Sequence, residues 1–158
     1  MSDSLRGPSR SADTPAAWRT YRYVVVRVVP RADREESVNT GVLLQLVDEK
    51  KRLEVALSDR WKLAELLEPG CDLAEMKAQL DAFVAVARGV AEAGTLAALP
   101  ASERFHWLAA VRSAVVRCSQ IHVGRTRDAR RELQRILERA APGLDENQRH
   151  ACAEGRGE

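Results

Sequence analysis

Cysteine is scarce and scattered in this sequence. Cys71, Cys118 and Cys152 are odd in number, far apart and without CxxC spacing, a usage that indicates neither a disulfide framework nor a zinc site and that fits a reducing compartment. Aromatic residues make up only 4% of the chain, so Trp61, Phe105 and Trp107 are read as core and hinge packing rather than as a base-stacking platform. No stretch approaches the roughly 20 apolar residues of a membrane helix, and the start lacks a basic segment followed by an apolar one. A glycine-rich cofactor fingerprint, a nucleophile elbow and a metal-ligand set are absent as well. These absences point to a cytoplasmic protein with no cofactor, no metal and no membrane partner.

What is present is a chain of 158 residues with a net charge of +2, a length that fits one domain with a real core. Residues 1–17 are rich in Ser, Pro, Arg and Asp without an apolar period, and are expected to form a disordered leader. A single domain is expected over 18–142, followed by a disordered polar tail over 143–158. The charge is unevenly spread: Arg104 to Arg139 holds nine arginines against three acids, whereas Asp48 to Glu103 holds eleven acids against seven bases. Basic density of this kind serves either an anionic partner or a solvated helix face.

The organising stretch is Tyr21 to Leu46. Tyr and Val dominate Tyr21 to Val29, which reads as a strand with Val24, Val26 and Val28 on one face and Tyr23, Val25, Arg27 and Val29 on the other. Pro30 ends it, the loop from Arg31 to Val38 is charged, and Asn39-Thr40-Gly41 reads as a sharp turn because Asn and Gly tolerate positive φ. Val42 to Val47 and Leu53 to Leu57 complete a three-strand antiparallel meander. Asp72 begins a helix with Leu73, Met76, Leu80, Phe83 and Ala87 at helical spacing, which Gly94 is expected to stop. The segment SERFHWLAAV is a short helix or irregular turn, Ala114 to Val123 a fourth strand, and Asp128 to Ala141 a last helix with Leu133, Ile136 and Leu137 as its stripe. The fold class is α+β: a small antiparallel sheet of about four strands, meander plus one late strand, covered on one face by helices 72–93 and 128–141.

Several polar residues on this frame resemble a known pattern. Arg27-x-x-Pro30, then Glu36-x-x-Asn39-x-Gly41-Val42-Leu43-Leu44, and downstream Phe105-x-Trp107-Leu108, Arg112-Ser113, Ser119 and His122-x-Gly124 resemble the bacterial family catalogued as domain of unknown function 3037. The resemblance covers Tyr21 to Ala141. It departs from the pattern at Ser37, where an aromatic is usual, and at Val111 and Gln120, where prolines are usual. No activity is implied. What the resemblance does imply is a bacterial cytosolic setting, and, because such genes often adjoin one for a HipA-like kinase, a kinase of that kind as partner.

Chemically, Arg27, Glu36, Asn39, Gly41, Arg112, Ser113, Ser119 and His122 form the candidate ligand or partner site, since paired guanidiniums, an amide and exposed backbone N–H groups suit a phosphate or carboxylate. The alternative is structural: Arg27 and Glu36 pair to hold the loop, Asn39 shapes the turn and His122 is a satisfied strand histidine. Arg127, Arg131, Arg135 and Arg139 share a helix face at i, i+4 steps and form a candidate nucleic-acid surface. A hydrolase reading would use Ser113 or Ser119 with His122 and Glu36, although three-residue spacing on a strand sends Ser119 and His122 to opposite faces. A zinc site from Cys118, His122 and His106 lacks a fourth ligand. The favoured reading is a non-catalytic accessory or regulatory module that binds another protein, with RNA, DNA or phosphate binding as the alternative.

Overall fold

Val-rich strands build the centre of the computed structural model, which describes residues 17–110 and 115–154. The expected leader lies almost wholly outside the described residues. β1 (Arg19–Val28), β2 (Val38–Leu46) and β3 (Glu54–Leu57) form the antiparallel meander. The late strand lies along the free edge of β1 in two pieces, β4 (Val116–Cys118) opposite Val26 to Val28 and β5 (His122–Thr126) opposite Arg19 to Tyr23. β3 is therefore one margin of the sheet, and β4 with β5 the other.

Two helices cover the sheet from opposite sides, not from one side as the sequence reading had it. Strand alternation separates Val24, Val26 and Val28 from Tyr21 and Tyr23. The valines pack with Met76, Leu80, Phe83 and Ala87 of α2 (Leu73–Arg88) and with Phe105 and Leu108 of α3 (Ala101–Ala109). Tyr21, Val42 and Leu44 instead meet Leu133 and Ile136 of α4 (Ala129–Ala140). Periodicity shows that a helix buries a stripe; it carries no label for the sheet face that receives it. The result is an α+β fold in three layers. The one-turn helix α1 (Ala64–Leu67) follows a 3-10 turn over Asp59–Leu63.

Capping sets the helix bounds. Asp72 Oδ1 accepts from Glu75 N at 3.0 Å and Asp128 Oδ1 from Arg131 N at 3.1 Å, each satisfying one of the free donors of a first turn. α2 ends earlier than its apolar spacing implies: Gly89 takes φ 70°, and Val90 N bonds back to Ala85 O at 3.0 Å, the αL geometry that closes a helix. Gly94 instead separates two short 3-10 turns.

Asn39-Thr40-Gly41 is not a turn. All three lie within β2, and the only positive φ in the preceding loop is that of Glu35, at 57°. Register shifts where Val26 faces Gly41 and Arg27 faces Asn39, so Thr40 is the extra residue of a β-bulge. Gly41 serves close approach: a Cβ there would stand 2.8 Å from Ala56 O and collide with the Leu57 side chain.

The tail expected to lack structure carries α5 (Glu146–Glu154). Its anchors are two apolar side chains in a polar sequence, Leu144 and Cys152, both buried, and Asp59, which accepts from Leu144 N at 2.8 Å. Among the described residues no helix is long and apolar enough to cross a membrane.

Candidate functional site

The polar cluster forms around Asn39 rather than around an Arg27–Glu36 pair. Arg27 Nε donates to Asn39 Oδ1 at 2.9 Å, Asn39 Nδ2 donates to Ala140 O at 3.2 Å, and Arg60 Nε donates to Asn39 O at 3.2 Å. The Asn39 amide thus ties β1 to the last carbonyls of α4, and its main-chain carbonyl holds the turn after β3. Glu36 is held by Arg34 within its own loop, Arg31 pairs with Asp33 at 2.7 Å, and Arg34 also reaches toward Glu68 at 3.7 Å. The loop neutralises itself because Arg34 lies two residues from Glu36 and closes a far shorter loop than Arg27 would. Arg117 stands in register with Arg27 on the neighbouring strand. Arg112 and Ser113 lie outside the described residues.

Ser119 and His122 do reach the edge beside β1. Where β4 breaks from β5, the Ser119 hydroxyl accepts from Val25 N at 2.8 Å and donates to Gln120 O at 2.8 Å, while Ser119 N donates to Val25 O at 2.9 Å. The side chain thus supplies a ladder bond that the interrupted strand lacks. His122 stacks on Tyr23 with ring centroids 5.0 Å apart. No hydrogen bond joins Ser119 to His122 among the described residues. Cys118 pairs in register with Val26 and His122 with Tyr23, so the thiol and the imidazole occupy opposite faces. The Cys118 thiol is pushed up to about 12 by burial and donates to Leu108 O at 3.4 Å; a thiol so protonated is a poor nucleophile and ligand at neutral pH.

Arg127 precedes α4 and its cap Asp128, so only Arg131, Arg135 and Arg139 of the expected four share the helix face, and their engagements differ. Arg127 lies over the Trp18 ring, 4.7 Å from its centroid. Arg135 Nε donates to Glu132 Oε2 at 3.0 Å, and Glu132 Oε1 accepts from Tyr21 Oη at 2.6 Å. Arg131 and Arg139 are exposed, with no carboxylate in ion-pair range among the described residues. Tyr21 lies against Gly124, where a Cβ would come within 2.6 Å of Tyr21 Cζ. Burial, then the bond to Glu132, pushes the Tyr21 phenol up to about 12. Arg135 holds the Glu132 carboxyl below its ordinary value against an opposing effect of burial, with Tyr21 helping.

These shifts fix a pH dependence. The raised Tyr21 contributes stability in full below the unfolded phenol value near 10, and it is lost as pH climbs through about 12. Glu132 contributes above the unfolded carboxylate value, and that part is lost as pH falls through its lowered folded value. Tyr21→Phe is expected to cost about 2 kcal/mol at neutral pH, the range for a hydrogen bond to a charged group, and to flatten the decline in stability between about pH 10 and 12 that remains in a Cys118→Ala background. Urea melts across that range check it. An unchanged alkaline limb in the double variant would show that Tyr21 is not its source.

Arg22 and the exposure of Trp107 differ from what the sequence pattern suggests. Arg22 projects on the α2 and α3 side of β1: its Nε donates to Gln45 Oε1 at 2.5 Å, its Nη2 to Ser102 Oγ at 3.2 Å, and its guanidinium sits 4.6 Å from the Phe105 ring centroid. The signal was present, since Arg22 shares the parity of Val24, Val26 and Val28. Trp107, assigned to the core, is 57% exposed. It stands at the lip of an apolar groove of about 280 Å³ between α2 and α3, with Phe83, Val86 and Leu108 in its walls and Leu96 opposite.

The molecule is thus a three-layer α+β domain with a hydrogen-bonded polar cluster around Asn39 and grooves beside the sheet. By sequence it belongs to the family described as protein of unknown function (DUF3037), whose profile matches residues 23–140, most of the chain. No curated protein and no solved structure matches the chain.

Proposed function

We propose that the protein is a non-catalytic accessory module of the bacterial cytoplasm that binds another protein, a HipA-like kinase being the first candidate. The observation that carries this reading is the α2–α3 groove with Trp107 exposed at its lip. A large aromatic ring kept in water beside an apolar cleft is the usual anchor of a protein contact. The committed bonds of Ser119, and the distance in roles between Glu36 and Arg27, leave the polar edge as scaffold rather than machinery.

Trp107→Ala removes a mostly solvated side chain, so its melting temperature is expected to stay within about 2 °C of the parent. Affinity for a purified HipA-like kinase from the same genome, read by titration calorimetry, is expected to fall at least about tenfold. Full affinity in the variant would place the contact elsewhere, and no binding by the parent would remove the kinase as partner.

A second reading, a phosphate-bearing ligand or nucleic acid, has its own support in Arg127 stacked on Trp18 with Arg130 and Arg131 exposed alongside. Binding of that kind weakens steeply with salt, whereas occupation of the Trp107 groove does not.

A further inference from the structure

β3 ends the sheet, and among the described residues its outer backbone is unpaired. Ser58 N donates to Thr40 O at 2.7 Å, and the register places Ala56 opposite Val42 and Glu54 opposite Leu44. Alternation along an antiparallel ladder then turns the N–H and C=O groups of Glu54, Ala56 and Ser58 toward β2 and those of Val55 and Leu57 outward. Among the described residues, nothing bonds to the outward groups. A groove of about 630 Å³ opens at the Glu54–Val55 end of this edge, and it is reached from both faces of the sheet, by Arg88 at the end of α2 and by Arg130 and Leu133 at the start of α4. Lys51, Arg52, Glu54 and Val55 form its floor. Four cations therefore face one carboxylate, and none of Lys51, Arg52, Arg88 and Arg130 has a carboxylate in ion-pair range among the described residues.

The geometry points to a binding site for an extended acidic segment of another protein, added as a sixth strand along β3 between α2 and α4. The choice of occupant follows from the two kinds of group on offer. An open edge presents acceptors as well as donors, and the outward C=O groups of Val55 and Leu57 need N–H partners at strand spacing. Phosphates supply only acceptors, and the base donors of a nucleic acid do not recur at strand spacing, so a nucleic acid matches this edge less well than a strand does. A second copy of this chain would bring four like charges against four, which is how basic residues keep an edge from pairing with itself. A strand with carboxylates at alternate positions bonds the backbone and sets its carboxylates on one face of the sheet, the α4 side, where Arg52 and Arg130 line one hollow. This site is separate from the Trp107 groove, and it stands or falls without it.

The test uses the full chain and a fluorescein-labelled peptide of alternating glutamate and valine, about eight residues long. Two controls accompany it, the same peptide with alternate amides N-methylated and a counterpart with lysine in place of glutamate. Saturable anisotropy is expected for the acidic peptide alone, weakened at least about tenfold by N-methylation and by the R52E/R130E variant, with slowed hydrogen exchange at the Val55 and Leu57 amides. Absence of binding overturns the proposal, as does equal affinity for the N-methylated peptide, which would mean attraction of charge without a strand. Displacement of the peptide by a single-stranded oligonucleotide, with Val55 and Leu57 amides unprotected, assigns the surface to nucleic acid. If the double variant melts lower than the parent, the N-methylated peptide and the exchange data on the parent chain decide the matter.

Discussion

Arg104→Met is expected to destabilise the protein by about 3 to 4 kcal/mol, because it strips donors from three backbone carbonyls, two part-buried and one buried. Arg104 is only 5% exposed and has no carboxylate partner among the described residues. Its Nη1 donates to Leu99 O at 2.7 Å and its Nη2 to Lys51 O at 2.8 Å, with Ala87 O at 3.5 Å. Those oxygens belong to the segment before α3, the β2–β3 connection and the last turn of α2, so one side chain fastens three pieces of chain that share no strand. Its cation also lies at a helix C-terminus, where the macrodipole favours it. Desolvation lowers its pKa, yet a guanidinium stays charged.

Methionine fills a similar volume without donors. Each carbonyl left bare costs about 1 to 3 kcal/mol, offset in part because a buried cation no longer needs accommodating. Among the described residues Nε has no partner of its own, so the offset is real and keeps the net effect below the sum of three bonds. At this chain length the loss corresponds to a fall in melting temperature of about 10 °C. Arg104→Lys, with one head in place of a planar fork, is expected to fall between the two. Guanidinium melts with an unchanged slope would report the loss directly. Equal stability of the methionine variant would mean that desolvation of the guanidinium cancels its bonds.

How far the sequence could be read depended on whether the deciding interaction was local. Valine density announced β1, alternation announced its two faces, and Asp72 with Glu75 announced the start of α2, because each signal sits within a few residues of its effect. The residues behind the family resemblance, from Arg27 to Gly124, fall within the matched 23–140. The site was less legible. In a loop with Arg31, Asp33, Arg34, Glu35 and Glu36, charge alone offers many pairings, and the shortest loops won. Arg104 was invisible for a different reason: its acceptors are backbone carbonyls, which every residue has. The outer edge of β3 was invisible because strand order, not strand sequence, decides which strand is marginal. The sheet face that α4 covers belongs to the same category. Position within the assembled sheet is a property of the whole chain.

Gly41→Ala is expected to cost about 3 kcal/mol, although alanine is the smallest residue with a Cβ and Gly41 has no positive φ to relieve. Two neighbours oppose the added atom, and they differ in compliance. The Leu57 side chain can rotate away, whereas Ala56 O, 2.8 Å from the ideal Cβ position, belongs to the β3 backbone and moves only if β3 separates from β2. The bulge at Thr40 leaves little freedom for this, because Thr40 is fully buried and its hydroxyl donates to Ser58 O at 3.0 Å and accepts from Trp61 N at 3.0 Å. A cycle with Leu57→Ala separates the two neighbours. Removing Leu57 relieves the side-chain clash and leaves the carbonyl in place, so Gly41→Ala is expected to keep most of its cost in the Leu57→Ala background, with a coupling of less than about 1 kcal/mol. Full rescue by Leu57→Ala would assign the glycine to side-chain packing. The expected result assigns it to the backbone spacing between β2 and β3, the same spacing that aligns the outward amides of Val55 and Leu57. Gly41→Ala should then also weaken the acidic peptide at the β3 edge while leaving the Trp107 groove unaffected.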